Sequence, residues 1–153
     1  MNKSGDKKFM EIALQEARKA RNKDEVPIGA LVVREDEILA RAHNLKETSQ
    51  LPTAHAELLA VKSAAEKLGS WRLEGCKVYV TLEPCIMCAG LLLQARIEKL
   101  VYGAADPKSG AVKSLYNLLE DERLNHQIQV VSGIYAEKSS RMLKKFFANL
   151  RDS

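Results

Sequence analysis

The 153-residue chain has few cysteines and no long apolar run, and each shortage excludes a class of protein. Three cysteines do not suggest the disulfide framework that small secreted domains use. No stretch approaches the ~20 apolar residues of a membrane span, so we expect no membrane association. The first segment, Met1–Lys23, contains Asp6, Glu11 and Glu16 and lacks a continuous apolar centre. It fits neither a secretory signal nor an acid-poor transit peptide, and the cytoplasm is therefore the expected compartment.

The bulk composition is that of a globular protein. Its hydrophobic fraction of 46% is ordinary, and its length favours one compact domain over residues 1–153. No repeat, low-complexity stretch or linker interrupts the chain. The formal net charge of +4 is compatible with an anionic partner but does not demonstrate one.

Apolar periodicity predicts helices that alternate with five short strands; in the first helix Phe9, Ile12, Ala13, Ala17 and Ala20 are spaced to cover one apolar face. The predicted helices cover Lys8–Arg21, Cys85–Ala95, Ser114–Leu119 and Ala136–Leu150. Another long helix is predicted between Thr53, which would cap its start, and Gly69, which would stop it. The predicted strands cover Val26–Val33, Glu37–Ala42, Lys77–Leu82, Lys99–Tyr102 and Gln127–Val131, the first two forming a hairpin. The last helix is expected to bury Met142, Leu143, Phe146, Phe147 and Leu150. This alternation predicts an α/β fold whose sheet is covered on both faces.

Two short motifs carry the chemistry: His55-Ala56-Glu57 and Pro84-Cys85-Ile86-Met87-Cys88. His55, Cys85 and Cys88 are good zinc ligands, and three protein ligands leave a fourth position open for water. The two cysteines are three positions apart, which places both thiols on one helical face. Pro84 suits the first helical position, so the thiols are expected at a helix N-terminus, where the helix dipole favours thiolate.

His55 and Glu57 pose a geometric difficulty. Residues two apart on a regular helix are rotated by about 200°, which puts them on nearly opposite faces. Both side chains reach one site only if the motif lies where the helix starts, and Pro52 and Thr53 suit such a start. We therefore expect the site where two helix N-termini converge.

The C-x-x-C pair alone has other interpretations, namely half of a structural zinc site or a redox pair. A structural site needs a fourth ligand, and His43, His126 and Cys76 lie at no recognisable ligand spacing; Cys76 is better read as core. A redox pair leaves His55 and Glu57 unexplained. The combined H-x-E…P-C-x-x-C pattern is typical of zinc-dependent nucleobase deaminases, in which zinc lowers the pKa of a water from 15.7 to about 7. In that chemistry Glu57 moves the protons.

The flanks of the motifs extend the pattern over nearly the whole chain, from residue 7 to residue 151. The segments concerned are Val26-Pro27-Ile28-Gly29-Ala30, His43-Asn44, Pro52-Thr53-Ala54-His55-Ala56-Glu57, Tyr79-Val80-Thr81-Leu82-Glu83-Pro84-Cys85, Met87-Cys88-Ala89-Gly90, Tyr102-Gly103-Ala104 with Asp106 and Ser109-Gly110, and Leu124-Asn125-His126. In these segments the chain resembles the bacterial tRNA-specific adenosine deaminases that act at the wobble position.

That resemblance implies a three-layer α/β/α cytidine-deaminase-like fold with a five-stranded central sheet. It also implies a homodimer with one Zn²⁺ per subunit, and conversion of adenosine to inosine at the first anticodon position of a tRNA.

The resemblance further implies substrate contacts, each with a structural alternative. Asn44 would hydrogen-bond the purine, although asparagine at this place also suits a turn. Ile28 would pack on the face of the purine, although it also suits the hydrophobic core. Asp106 and the Asn125-His126 pair would lie near the flanking nucleotides. Asp106 before Pro107 is also ordinary turn chemistry, and His126 could cap a strand end.

The last helix carries Lys138, Arg141 and Lys145 at helical spacing, with Lys144 and Arg151 beside them. Such a stripe can neutralise phosphates, although a solvated helix face has the same composition.

Two other functions remain open from the sequence: a deaminase of a free base or nucleoside of the guanine or cytosine type, and a non-catalytic zinc-stabilised RNA-binding module. Ile86, the Leu51–Glu57 segment and the basic last helix favour tRNA.

Overall fold

The protein, known here from a computed structural model that describes residues 3–151, contains five helices and five strands within those residues. The helices are α1 (Lys3–Arg21), α2 (Lys46–Ser49), α3 (Ala56–Leu68), α4 (Ile86–Gln94) and α5 (Ala136–Arg151). The strands are β1 (Gly29–Arg34), β2 (Glu37–His43), β3 (Cys76–Leu82), β4 (Lys99–Ala104) and β5 (Gln129–Val131). Residues 1–2 and 152–153 of the predicted 1–153 domain lie outside the described residues, and the single domain stays a prediction.

The five strands form one mixed sheet in the order β2-β1-β3-β4-β5. The predicted hairpin is confirmed, because β1 pairs with β2 in antiparallel fashion. Strand β1 is also antiparallel to β3, whereas β3, β4 and β5 run parallel to one another. Leu82 pairs with Ala104, so β3 and β4 end together at one edge of the sheet.

Side chains alternate between two apolar layers, as strands covered on both faces require. Val78 and Val80 of β3 pack in a buried cluster with Ala60 of α3 and Leu92 of α4. Tyr79 between them faces the other side, in the cluster that contains Phe9 and Ala13 of α1. Helix α5 lies on that same side, where Ser139 Oγ donates a hydrogen bond to the Thr81 carbonyl at 2.5 Å. The expected three-layer α/β/α arrangement is confirmed.

Helix α1 lies very close to β1, and Gly29 explains how. A Cβ atom at Gly29 would collide with the backbone of Ala13 and Ala17, so glycine alone permits this approach. The apolar face predicted for this helix is confirmed, although the helix begins at Lys3 rather than Lys8. The predicted core position of Cys76 is also confirmed, since its side chain is fully buried.

Two predicted elements are corrected by hydrogen bonding. The first strand begins at Gly29 rather than Val26, because the Ile28 amide bonds locally to the Val26 carbonyl. Ser114–Leu119 forms turns and loop rather than a helix. The amides of Lys113 and Ser114 donate to the Glu83 carboxylate instead of to helical carbonyls.

The prediction that α5 buries its apolar residues is wrong for its second half. Met142, Leu143 and Phe146 are only partly buried, whereas Phe147 is 41% and Leu150 58% exposed. The reason is position: Ser139 meets the sheet, while the later turns extend past the strand ends and line a cavity. None of the described helices combines the length and apolar character needed to cross a bilayer.

Candidate active site

The two sequence motifs occupy the starts of two neighbouring helices. His55 is the N-cap of α3, with extended backbone at φ −82° and ψ 151°. Cys85 is the N-cap of α4, also extended at φ −76° and ψ 177°. Neither side chain caps its own helix, which leaves both free to face a common point. The expectation that helix starts converge on the site is confirmed.

The caps themselves differ from the sequence prediction by one or two residues. Thr53 does not cap α3, because it lies in the preceding turn, where its carbonyl accepts the His55 amide at 2.8 Å. Pro84 precedes the N-cap instead of occupying the first helical position. The shift solves the geometric difficulty, because the extended backbone of His55 breaks the helical rotation that would separate it from Glu57.

Three potential metal ligands form a compact triangle. His55 Nδ1 lies 3.6 Å from Cys85 Sγ and 3.7 Å from Cys88 Sγ, and all three atoms lie within 4.8 Å of one another. Donors bound tetrahedrally to one zinc ion at about 2.0–2.3 Å lie about 3.6 Å apart, so the triangle fits such an ion. Within residues 3–151 it is the one cluster of at least three His, Cys, Asp or Glu side chains with this proximity.

The hydrogen bonds within the triangle favour the thiolate form of one of its two cysteines, Cys85. The hydrogen bonds from Cys88 and His55 lower the pKa of Cys85 to about 3. The bond to Cys85 and burial raise the pKa of Cys88, which donates its proton to that thiolate. The bond to Cys85 also raises the pKa of His55. A bound cation removes this asymmetry, because a coordinating thiol is deprotonated outright.

Glu57 lies beside the triangle without belonging to it. It is the second residue of α3 and is only 4% exposed. Burial raises the pKa of Glu57 to about 7, and the negative charge of Cys85 adds to that effect. A carboxyl group with this pKa accepts and returns protons readily near neutral pH.

His55, Cys85 and Glu57 line a cavity of about 850 Å³, a size typical of small-molecule sites, whereas Cys88 is fully buried behind them. Part of the cavity lining is Ile28, Asn44 and Lys46, and another part is the segment from Ala105 to Ser109. A third wall comes from α5, whose side chains at helical spacing are Ser140, Leu143, Lys144, Phe147 and Arg151.

The structure brings three of the five predicted substrate residues into the cavity, namely Ile28, Asn44 and Asp106. Asn44 also has the turn role that was its alternative, because its Oδ1 accepts the Lys46 amide at 3.2 Å. Asp106 likewise accepts the amides of Lys108 and Ser109, each at 3.2 Å. A turn role and a cavity position are therefore compatible.

Asn125 and His126 do not line the cavity of this chain. Asn125 is exposed, and His126 Nε2 lies 2.8 Å from the carbonyl of Ile97, just before β4 begins. The motifs lie at the opposite end of the parallel strands, beyond Leu82 and Ala104. Their contact with flanking nucleotides stays a prediction.

Sequence reasoning missed several cavity residues, among them Phe147 and Glu83. The apolar pattern predicts Phe147 as core, although its spacing from Lys144 and Arg151 places the three on one helix face. Glu83 belongs to the Tyr79–Cys85 segment that carries the resemblance but has no predicted role of its own, although an acidic residue directly after an apolar strand is a signal of a specific role. Its carboxylate is 2% exposed and accepts hydrogen bonds from the segment 106–114.

Known proteins give an independent comparison. The chain matches the MafB19-like deaminase family over residues 4–151. It is 55% identical to a tRNA-specific adenosine deaminase of Bacillus subtilis, over 95% of this chain and 91% of that protein. It is 46% identical to a tRNA-specific adenosine deaminase of Aquifex aeolicus, over 97% of this chain and 98% of that protein.

A solved structure from work on A-to-I editing by tRNA:A34 deaminases superimposes with a TM-score of 0.85. It is 46% identical in sequence and covers 88% of this chain and 98% of its own. Sequence, fold and site geometry agree, and the chain belongs to the MafB19-like deaminase family and, within it, to the tRNA-specific adenosine deaminases.

Proposed function

We propose that the protein hydrolyses adenosine to inosine at the wobble position, A34, of a tRNA anticodon. The observation that carries the proposal is the buried carboxyl of Glu57 beside a three-ligand triangle, of which His55 and Cys85 line the same cavity as Glu57. A fourth protein ligand would close a metal site, whereas three leave room for water. The identity of the base and the RNA come from the relatives named above.

The metal in this proposal is one Zn²⁺ per chain, held by His55, Cys85 and Cys88. Two thiolates and one imidazole form a soft donor set of the kind that selects zinc over magnesium or calcium. When bound there, zinc supplies a Lewis acid that makes water nucleophilic near neutral pH.

Glu57 moves the protons. Its carboxylate takes a proton from the water that attacks C6 of the purine and delivers it to the adjacent ring nitrogen. Glu57 then takes the remaining proton from the C6 hydroxyl and passes it to the amino group, so that the C6–N bond breaks, the C6 carbonyl forms and ammonia leaves. Water and adenosine thus give inosine and ammonia, and Glu57 ends in its starting state. Burial at 4% exposure keeps bulk water from competing for that carboxyl.

The cavity walls suit a purine displaced from its stack. Ile28 offers an apolar surface to the ring, and the Asn44 amide offers both a donor and an acceptor. A nucleotide in a single-stranded loop leaves its stack at lower cost than one in a duplex, which favours an anticodon loop.

The α5 wall is the proposed RNA interface. Lys144 and Arg151 supply cations for phosphates, and the exposed ring of Phe147 offers a surface on which a flanking base can stack. Asp106 lines the same cavity, and we propose that it contacts the flanking nucleotides.

We also propose a cytoplasmic homodimer. Ile86, Leu115 and Tyr116 are 54–60% exposed, and such apolar side chains favour contact with a partner. Because Asn125 and His126 lie away from the cavity, their predicted contact requires RNA held at the second subunit's site.

A substrate panel tests the function. An anticodon stem-loop RNA with A34, the same RNA with G34, and free adenosine, guanine and cytosine are each incubated with zinc-loaded protein. We expect ammonia release and inosine from the A34 stem-loop alone. Turnover of a free base without turnover of RNA would support the free-base deaminase instead. Stem-loop binding with no turnover of any substrate would support a non-catalytic zinc-stabilised RNA-binding module.

A further inference from the structure

Glu83 is a buried carboxylate next to the site that the proposed reaction does not use. It directly follows β3 and is 2% exposed. Its Oε2 accepts the amides of Val112, Lys113 and Ser114 at 3.1, 2.8 and 2.9 Å. Its Oε1 accepts the Asp106 amide at 3.0 Å and the Ser114 hydroxyl at 2.5 Å. Five donors therefore converge on one side chain.

These contacts determine the path of the loop that follows β4. Three consecutive amides directed at one anion form a concave backbone nest, which is not a helical or strand arrangement. Gly110 packs against the same carboxylate, and a Cβ atom there would collide with it. Gly110 also forms a β-bridge with Cys85, which ties the loop to the start of α4. Glu83 therefore acts as a template around which residues 106–114 are folded.

The templated loop supplies one wall of the cavity. Glu83 holds the backbone of Asp106, and the Asp106 side chain in turn accepts the amides of Lys108 and Ser109. Asp106, Lys108 and Ser109 all face the cavity. A chain of hydrogen bonds thus runs from the buried strand end to the exposed wall.

We propose that Glu83 is a positioning residue for RNA binding, which holds the wall from Asp106 to Ser109 in the shape that receives the nucleotides flanking the reacting base. The inference rests on the proposed function. It gives Glu83 no part in proton transfer, because its oxygens are occupied by the loop. Loss of the template therefore weakens substrate binding more than it slows the chemical step.

The test is Glu83→Gln in zinc-loaded protein, assayed on the A34 stem-loop. An amide nitrogen cannot accept the loop amides that the carboxylate accepts, so we expect KM to rise about 10-fold or more while kcat changes less than about 3-fold. Zinc stoichiometry should stay at the wild-type value. Hydrogen exchange should accelerate at the amides of Asp106 and of Val112 to Ser114.

Two further variants keep the test decisive. Ser114→Ala removes one donor and keeps the other four, so its KM should rise in the same direction by about 2–3-fold. Asp6→Asn is the matched control, because Asp6 is 4% exposed and bonded to Tyr79 and Lys99 on the α1 side of the sheet. It should lower stability and leave KM unchanged.

The outcomes separate the two proposals. An unchanged KM in Glu83→Gln, or a lost kcat with zinc retained, overturns the positioning role. If Glu83→Gln does not fold, an unchanged KM in Ser114→Ala overturns it in the same way. If wild-type protein forms no inosine in RNA, the proposed function fails first. The hydrogen-exchange rates of the loop amides in Glu83→Gln then still decide whether Glu83 holds the loop. Exchange rates equal to those of the wild type would show that it does not.

Discussion

At the scale of single residues, the proposed metal ligands and the proposed proton-transfer group are different side chains. His55, Cys85 and Cys88 form the triangle, whereas Glu57 lies beside it and outside the ligand cluster. The separation makes the two roles experimentally distinguishable, because one side chain can be changed without removing the other function.

Glu57→Gln should abolish deamination and leave the metal in place. The amide has nearly the same volume as the carboxyl but cannot accept and return a proton, so we expect a loss of about 10²–10⁴-fold in kcat. Inosine formation on the A34 stem-loop and zinc content by elemental analysis are the two readouts. Glu66→Gln, an exposed position on the same helix, serves as the control and should retain activity. Full turnover by Glu57→Gln would rule out the proton-transfer role.

Cys88→Ser should lower zinc content and thermal stability together. Metal binding contributes to folding free energy, and a hydroxyl replaces thiolate poorly at a zinc ion. Cys76→Ser is a matched control because both thiols are fully buried. It should lose some stability while zinc stays stoichiometric. Equal zinc contents in the two variants would contradict the assigned ligand set.

At the scale of helices and strands, charged contacts fix α1 against β2. Glu16 is 3% exposed and accepts hydrogen bonds from Lys19 at 2.7 Å and from Arg41 at 3.1 Å. Its Oε1 also lies 3.0 Å from His43 Nδ1. Burial raises the pKa of Glu16, but these bonds outweigh it and hold the pKa below 4.5.

The lowered pKa of Glu16 predicts acid sensitivity. A carboxyl whose folded pKa is depressed contributes stability above its unfolded pKa, and the contribution is lost as pH falls through the folded value. Glu16→Gln should therefore lower the free energy of unfolding by roughly 1–3 kcal/mol at pH 7. The difference from wild type should shrink below about pH 4.5. Urea unfolding of both proteins at a series of pH values measures the difference in their free energies of unfolding. A difference that stays constant with pH would contradict the prediction.

The proposed RNA contact of helix α5 predicts, also at this scale, that RNA binding depends on salt. If Lys144 contacts a phosphate, Lys144→Ala should weaken stem-loop binding and reduce the slope of log K against log salt by about 0.7–0.9. Lys67→Ala is the control, because this exposed lysine lies at the far end of α3, about 16 Å along the helix from its start. Identical slopes for the two variants would place the RNA elsewhere.

Sequence periodicity predicted the presence of the helices and strands better than it predicted where they end or which of their side chains are exposed. The pattern of Phe9, Ala13 and Ala17 predicted the buried face of α1 because local spacing decides that face. Phe147 escaped prediction, because its exposure depends on where α5 runs past the sheet, which is a long-range property. Ser114 was assigned to a helix because nothing local shows that a carboxylate 31 residues earlier attracts its amide.

At the scale of the whole molecule, topology assembles the site. Strands β3 and β4 run parallel and end together at Leu82 and Ala104, and a crevice at such strand ends is where ligands bind in open α/β sheets. The motif pattern predicted His55, Glu57, Cys85 and Cys88 correctly as neighbours, since metal chemistry requires them to meet. The resemblance placed Asp106 at the site, but the shape of the wall from Asp106 to Ser109 could not be predicted, because its backbone is hydrogen-bonded to Glu83 from another part of the chain.

The most direct test of the central claim is nucleoside analysis of an unmodified tRNA transcript with A34 after incubation with zinc-loaded protein. Mass spectrometry of nuclease fragments locates the change, and a transcript with G34 serves as the blank. We expect inosine at nucleotide 34 after incubation with wild-type protein and no inosine there after incubation with Glu57→Gln. Absence of inosine from the RNA, with conversion of free guanine or cytosine by the same preparation, would contradict it.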